Sequence, residues 1–152
     1  MMKRLSKQTI LLIEKDSDSA LLIEENLRQA GIGSPVVVRK SCGEALAFLS
    51  GQNGRGDGAA SPHVVVLLDA ATPLQDAYDL LKKIKQDHRM RSVPIVALAA
   101  SGSPEEVERY YQLGCNLCIV KPAEPSLLPD VVQKLGMFLS IITTPELNEL
   151  HG

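Results

Sequence analysis

Tryptophan is absent from this chain, and aromatic residues of all kinds make up only 3% of it. A hydrophobic core must therefore be built from Val, Leu, Ile and Ala, which suits a layered α/β protein. The length of 152 residues fits one domain, and a domain of that size buries roughly two thirds of its unfolded surface. No second domain is needed to account for the composition.

An excess of charge of one sign is missing as well. The net charge is -2 and the basic residues are scattered, whereas nucleic-acid binding requires a clustered basic surface. Long apolar runs are also lacking near the N-terminus, where only the four residues 10–13 precede Glu14. That run is too short for a signal peptide or a membrane span. We therefore expect a cytoplasmic protein that contacts neither nucleic acid nor membrane.

Cysteine is scarce, with only Cys42, Cys115 and Cys118. Three thiols cannot all pair with one another, and nothing in the sequence suggests export, so we expect them to be reduced. The spacing of Cys115 and Cys118 is half of a typical zinc site. No second Cys or His pair at ligand spacing accompanies it, which favours a role as small core residues.

Strand and helix signals alternate along the whole chain, the pattern of βα units that wind a parallel sheet. Strands are predicted at residues 9–13, 36–38, 63–68, 93–98 and 117–120, and helices at residues 20–29, 43–49, 77–86, 104–113 and 124–139, with a glycine-rich loop at residues 51–62. Leu21, Leu22 and Leu27 are predicted to face the core in the first helix. Ser103 is predicted to cap the fourth helix, and Gly114 to end it.

The most informative stretch is an unbroken aliphatic run, residues 64–68, that ends in Asp69. A run without polar alternation is typical of a strand covered on both faces, as in the interior of a parallel sheet. Ligands in such sheets bind at the carboxyl ends of the strands. Taken alone, Asp69 is therefore either a functional carboxylate or a helix N-cap.

Charged side chains follow two further predicted strands. Glu14, Lys15 and Asp16 come after the first strand, and Lys121 comes after the fifth. The carboxyl ends of parallel strands lie along one edge of a sheet. These residues are therefore predicted to converge with Asp69 on one pocket, provided that the three strands are central.

Several short segments together form a specific signature: Leu11-Leu12-Ile13-Glu14, Leu67-Leu68-Asp69 with Pro73, Pro94 with its apolar strand, Leu113-Gly114, and Val120-Lys121-Pro122. With them the chain resembles a response-regulator receiver domain of the chemotaxis-regulator kind over residues 9–139. The resemblance implies a doubly wound, five-stranded parallel sheet with helices on both faces, in the flavodoxin-like strand order 2-1-3-4-5.

The same resemblance implies roles for the pocket residues. Asp69 would be the phosphoacceptor, and Lys121 the cation that contacts the phosphoryl group, with a cis peptide bond between Lys121 and Pro122. Glu14, Asp69 and the backbone of Ala71 would hold Mg²⁺, which offsets the charge of the incoming phosphoryl group.

Three positions depart from the family pattern. Lys15 stands where the second acid of the metal site is expected, so Mg²⁺ binding should be weakened. We hypothesise that Lys15 pairs with Asp69 instead. Ala99 replaces the switch hydroxyl after the fourth strand, and Cys118 replaces the switch aromatic residue in the fifth. Phosphorylation would then have no hydroxyl or ring to act on, so the sequence predicts a degenerate receiver.

Two neighbouring residues offer partial replacements. Asp16 could supply a substitute metal ligand, although capping the first helix is its favoured role. Ser101 lies two residues beyond Ala99 and would need a shift of its loop to act as the switch hydroxyl. An ordinary phosphorelay receiver with weak Mg²⁺ binding is the alternative to a degenerate one.

The sequence also predicts how such a protein would act. Residues 1–8 would form a tail, residues 9–139 the receiver, and residues 140–152 a C-terminal extension like that of single-domain regulators that partner bacterial phytochromes. The protein would bind a sensor histidine kinase or another signalling protein, and would form a homodimer through the fourth helix, fifth strand, fifth helix and extension. Apolar side chains available for that surface are Val107, Tyr110, Tyr111, Met137 and Phe138.

An enzyme is the competing class. Phosphatases with an Asp nucleophile after a strand share a doubly wound fold, but they require a second Asp two residues later, where this chain has Ala71. A glycine-rich phosphate loop after the first strand is also absent. A binding module without enzymatic activity is therefore the favoured prediction.

Overall fold

The structure, a computed structural model, describes residues 8–51, 63–69 and 74–141. Its strands are β1 (Thr9–Ile13), β2 (Val36–Arg39), β3 (Val64–Asp69), β4 (Ile95–Ala99) and β5 (Leu117–Val120). Its helices are α1 (Ser17–Gln29), α2 (Cys42–Leu49), α3 (Leu74–Gln86), α4 (Pro104–Gln112) and α5 (Leu128–Ile141), the last preceded by a 3₁₀ turn at Pro125–Leu127. Strand and helix alternate in the predicted way.

The five strands form one parallel sheet in the order β2-β1-β3-β4-β5. This confirms the predicted doubly wound fold and its strand order. Every residue of β1, β3 and β4 is buried, as expected for central strands that helices cover on both faces. The central position of β3 brings Asp69 to the middle of one sheet edge.

Two apolar layers, one on each face, hold the helices to the sheet. Alternate residues of β1 point to opposite faces, so Leu11 packs with α2, α3 and α4 while Leu12 packs with α1 and α5. Phe48 and Tyr110 are the large aromatic members of the first layer. Aliphatic side chains make up most of the rest, as the composition predicts.

The buried face of α1 differs from the prediction. Leu21 is 55% exposed and Leu22 is 41% exposed. The helix instead buries Ala20, Ile23 and Leu27, which follow the three- and four-residue spacing of one helix face. Only Leu27 of the three predicted leucines is correct, because the other two lie off the stripe that this spacing defines.

The predicted helix caps are present. Asp16 Oδ2 accepts hydrogen bonds from the Ser19 backbone N–H at 2.9 Å and from Ser19 Oγ at 2.8 Å. Ser103 Oγ accepts one from the Glu106 N–H at 3.2 Å. Gly114, which follows α4, has a φ of 108°, the left-handed conformation that ends many helices. These local signals set the helix boundaries more sharply than the apolar periodicity does.

Several predictions concern residues outside the described part of the chain. They include the tail before residue 8, most of the glycine-rich loop, Ala71 and Pro73, and the extension beyond residue 141. Among the described residues, all three cysteines are free thiols, and Cys115 is buried. No helix in the described ranges has the length and apolar character needed to cross a membrane.

Candidate functional site

Three strands deliver charged side chains to one edge of the sheet. Glu14 follows β1 directly, Asp69 is the last residue of β3, and Lys121 follows β5 directly. Glu14 and Asp69 are fully buried. The structure therefore brings together three of the five residues that the sequence placed in one pocket.

Lys121 and Asp69 form a close ion pair. The Lys121 Nζ lies 2.9 Å from Asp69 Oδ1, to which it donates a hydrogen bond, and 2.8 Å from Oδ2. The lysine starts two strands away from β3 and must cross the end of β4, where Ala99 is fully buried and Ala100 follows. Small side chains at these two positions leave room for the crossing.

Glu14 completes the buried charge cluster. Its Oε2 accepts a hydrogen bond from the Asp16 backbone N–H at 2.9 Å, and its carboxyl group shares a hydrogen bond with Asp69. Burial, followed by the bond to Asp69, raises the pKa of Glu14 to about 7. Below about pH 7, Glu14 therefore carries a proton that it can donate to Asp69. This proton and the Lys121 ammonium offset the charge of two buried carboxyl groups.

The structure assigns different places to the two residues between Glu14 and α1. Lys15 is exposed, and the salt bridge to Asp69 comes from Lys121. The hypothesis of a Lys15–Asp69 pair is therefore wrong, because the lysine after β5 already occupies the carboxylate. Asp16 caps α1, and its hydrogen bonds from Ser19 lower the pKa of its carboxyl group.

The two described candidates for metal ligands, Glu14 and Asp69, are engaged by other side chains. No group of three or more His, Cys, Asp and Glu side chains suited to a metal lies within the described ranges. Mg²⁺ favours oxygen ligands in octahedral geometry, but Glu14 and Asp69 are bonded to each other, and an ammonium contacts both oxygens of Asp69. Asp16 is committed to the helix cap. Ala71, the remaining predicted ligand, lies outside the described residues.

The structure places the two altered switch positions, Ala99 and Cys118, at the end of β4 and within β5. Ala99 is fully buried and offers only a methyl group. Cys118 packs at the margin of the apolar layer that includes Tyr110. Its backbone N–H donates a hydrogen bond to Tyr111 Oη at 2.9 Å. Tyr110 is fully buried, so it is not available for the predicted binding surface, whereas Tyr111 is 46% exposed.

Glu106 is a buried acid that the sequence prediction did not single out. Only 7% of it is exposed. It accepts hydrogen bonds from the Ala100 N–H at 3.3 Å, and from the Ser101 N–H at 3.1 Å and Ser101 Oγ at 2.9 Å. Ser101 therefore points to α4 instead of serving as the switch hydroxyl. The Ser-x-x-Glu spacing of a capping box, residues 103–106, was the available signal.

The peptide bond between Lys121 and Pro122 also differs from the prediction. No cis peptide bond occurs among the described residues, so this bond is trans. The trans form is the favoured isomer of an X–Pro bond by about 0.5–1 kcal/mol, and the Lys121 side chain reaches Asp69 with it.

Comparison with known proteins gives a consistent result. The family model described as "Response regulator receiver domain" matches residues 10–133. The response regulator Rcp1 of Synechocystis sp. is 29% identical over 139 residues, which cover 91% of this chain and 93% of Rcp1. The match therefore spans nearly the whole of both proteins.

Solved structures agree with the sequence comparison. A response regulator receiver domain from Rhodospirillum rubrum has a TM-score of 0.78 and 34% identity, and the match covers 91% of this chain and 97% of that one. The phosphorylated cyanobacterial phytochrome response regulator RcpA has a TM-score of 0.77 and 28% identity, with coverage of 91% and 99%. The Mn²⁺-bound form of Rcp1 has a TM-score of 0.76 and 27% identity, with coverage of 91% and 99%.

Proposed function

Because this chain belongs to the response regulator receiver domain family and is a response regulator of two-component signalling, similar to Rcp1, we propose that it is a degenerate receiver. In this proposal Asp69 stands at the phosphoacceptor position, and the protein acts by binding other proteins in a state that does not depend on phosphorylation. The observation that carries the proposal is the double contact of Lys121 with both oxygens of Asp69.

The chemistry of phosphoryl acceptance explains why this contact matters. An aspartate oxygen attacks phosphorus only if it is free to approach and if the charge of the phosphoryl group is offset. Here Lys121 holds both oxygens of Asp69, and Glu14 is bonded to the same carboxylate. The ammonium and the shared proton therefore stabilise the unmodified carboxylate.

Weak metal binding follows from the same residues. Receiver domains bind Mg²⁺ or Mn²⁺ at the acidic site, as in the Mn²⁺-bound form of Rcp1. In this chain an exposed Lys15 replaces one acid, and Glu14 resists deprotonation. A divalent cation would need Glu14 to lose its proton and Lys121 to release Asp69. When bound, the ion would supply positive charge toward a phosphoryl group.

The proposed mode of action is contact between proteins. A sensor histidine kinase or another signalling protein would bind residues 9–139, and a homodimer would form through α4, β5, α5 and the extension at residues 140–152. We place the protein in the cytoplasm and assign it no enzymatic activity. The family match over residues 10–133 favours this class over the phosphatase alternative.

Phosphorylation of the purified protein tests the proposal. Wild type, Asp69→Asn and Lys15→Asp are incubated with Mg²⁺ and a small phosphodonor such as acetyl phosphate, and the intact mass is measured over time. We expect no phosphoryl adduct on wild type. Lys15→Asp restores an acid near the metal position, so Mg²⁺ would compete with Lys121 for Asp69 and this variant should gain one phosphoryl group.

Two controls show whether the adduct lies on Asp69 and whether it depends on position 15. The double variant Lys15→Asp with Asp69→Asn should lose the adduct, which would locate it on Asp69. Lys82→Asp, a change of the same charge at an exposed lysine of α3, should behave as wild type. A wild type that gains one phosphoryl group at Asp69 as readily as an ordinary receiver would contradict the degenerate assignment.

A further inference from the structure

The loop after β4 is held by a buried carboxylate that the chemistry at Asp69 does not use. Three donors converge on Glu106: the backbone N–H groups of Ala100 and Ser101, and Ser101 Oγ. A carboxyl group has two oxygens that accept hydrogen bonds, so Glu106 can satisfy all three donors at once. Because Glu106 is 7% exposed, water competes little for these bonds.

The Glu106 side chain bonds to residues that lie earlier in the chain than the partner of a usual capping-box acid. In a capping box, the acid three residues after the N-cap bonds to the N-cap N–H. Here the Ser103 N–H donates to Ser101 Oγ at 3.3 Å instead, and the Glu106 carboxylate extends to the two preceding backbone amides. The first turn of α4 is therefore tied to the loop that connects it with the sheet.

This loop is the covalent link between the site and α4. Lys121 N–H donates to the Ala99 carbonyl oxygen at 2.8 Å, so the start of the loop contacts the residue that binds Asp69. At the far end of α4, Tyr111 accepts a hydrogen bond from the Cys118 N–H of β5. A change at Asp69 that reaches α4 through this loop must therefore move the Glu106 contacts.

We propose that Glu106 is a latch on the loop between β4 and α4, and that this latch isolates α4 from events at Asp69 that are transmitted through the loop. The inference rests on the proposed function, because it names how the degenerate site is uncoupled from the binding surface. With the latch closed, α4 presents one surface whatever the state of Asp69.

Amide hydrogen exchange of the full-length protein tests the contacts themselves. Exchange at Ala100 and Ser101 is measured by NMR in wild type, in Glu106→Gln, and in Glu105→Gln, an exposed acid of the same helical turn. The Glu106→Gln change keeps the size of the side chain but removes one acceptor oxygen and the charge. We expect both amides to exchange at least about tenfold faster in Glu106→Gln and to be unchanged in Glu105→Gln.

Three results would overturn the latch at this stage. They are equal exchange in all three proteins, equal acceleration by both variants, and exchange of the wild-type amides at the rate of an unprotected chain. The last result needs no variant, so the test holds even if Glu106→Gln does not fold. Amide dispersion elsewhere in the spectrum reports whether it does.

A second experiment tests isolation without any need for phosphorylation. Asp69→Asn removes the charge that holds Lys121, and backbone amide signals from α4 are compared with and without this change. In the wild-type background we expect these signals to stay in place, and in the Glu106→Gln background to shift. Movement in both backgrounds, or in neither, would overturn the latch. Because no phosphodonor is used, these outcomes are independent of whether wild type accepts a phosphoryl group.

Discussion

At the scale of single residues, the pocket depends on how two buried carboxyl groups share charge. Glu14 and Asp69 are both fully buried and are bonded to each other, and Lys121 pairs with Asp69. Two ionised carboxylates in hydrogen-bond contact would repel each other in a medium of low polarity. A proton on Glu14 removes this repulsion.

The shared proton gives stability a dependence on pH. Burial and the bond to Asp69 raise the pKa of Glu14 from 4.5 to about 7, so the folded state binds this proton more tightly than the unfolded state. Between these two pKa values the folded chain carries more protons, and stability must fall as pH rises. The contribution is fully present below about pH 4.5 and is lost as pH rises through about 7.

We therefore expect the free energy of unfolding, measured in urea from about pH 5 to pH 8, to fall in wild type more than in Glu14→Gln. The difference should be on the order of 2 kcal/mol. The amide introduced by Glu14→Gln would donate the same hydrogen bond to Asp69 without titrating. Glu25→Gln, at an exposed acid of α1, is the control and should follow wild type. Parallel curves for wild type and Glu14→Gln would contradict a proton held on Glu14.

At this scale the sequence predicted where the site residues lie. It did not predict the proton on Glu14 or the contacts that Glu106 makes outside its own helix. Asp69 and Lys121 follow apolar strands, so their convergence depends only on the parallel sheet. The proton on Glu14 arises from burial by neighbours, which no local pattern encodes. The contacts of Glu106 leave its own helix, and a capping box predicts bonds only within the first turn.

At the scale of elements, three helices end in the same way. Gly31, Gly51 and Gly114 follow α1, α2 and α4 with φ values of 91°, 93° and 108°. After α4, the Gly114 N–H donates to the Tyr111 carbonyl oxygen at 3.1 Å, and the Cys115 N–H donates to that of Tyr110 at 3.1 Å. This is the bonding pattern of a Schellman motif, and it turns the chain directly into β5.

The glycines differ in how much space surrounds them. Substitutions at these positions can therefore distinguish the cost of backbone strain from the cost of crowding. A Cβ on Gly114 would lie 2.8 Å from Lys85 Cγ, whereas a Cβ on Gly31 would have no atom within 4 Å. Gly33 has similarly open space and lacks a positive φ. Lys85 is not simply free to move, because its Nζ donates to the Arg91 carbonyl oxygen at 2.9 Å.

Alanine substitutions should rank accordingly in urea unfolding. We expect Gly33→Ala to change the free energy of unfolding little, Gly31→Ala to lower it by about 1 kcal/mol through backbone strain, and Gly114→Ala to lower it by about 2–3 kcal/mol. Equal losses for Gly31→Ala and Gly114→Ala would mean that Lys85 yields without cost and that crowding plays no part.

The prediction of elements succeeded where local chemistry and burial agree. The bounds of β1 and β5 match the structure, because apolar runs there are short and end at charged residues. The inward face of α1 was predicted wrongly at Leu21 and Leu22, because these two leucines lie beside the buried stripe that includes Leu27. Exposed Leu21 and Leu22 show that apolar character alone does not determine which face of a helix is buried.

At the scale of the whole molecule, the edge of the sheet at β5 carries a group of exposed apolar side chains. Val120 is 42% exposed, Met137 is 67% exposed and Tyr111 is 46% exposed. They lie on β5, α5 and α4, the elements of the proposed dimer surface. Large exposed apolar groups on neighbouring elements favour association.

The oligomeric state can be tested by placing a charge at this surface. We expect wild type to sediment as a dimer at micromolar concentration and Met137→Glu to sediment as a monomer, because an unpaired carboxylate at the centre of an apolar interface is costly. Leu21→Glu adds the same charge at a residue of α1 that is 55% exposed, and it should leave the dimer intact. A monomeric wild type would contradict the dimer, and a dimer that survives Met137→Glu would move the interface away from α5. The latch acts on α4, which is part of this surface. Combining Glu106→Gln with Met137→Glu therefore changes the shape of the surface in a protein that no longer self-associates, so the two effects can be measured separately.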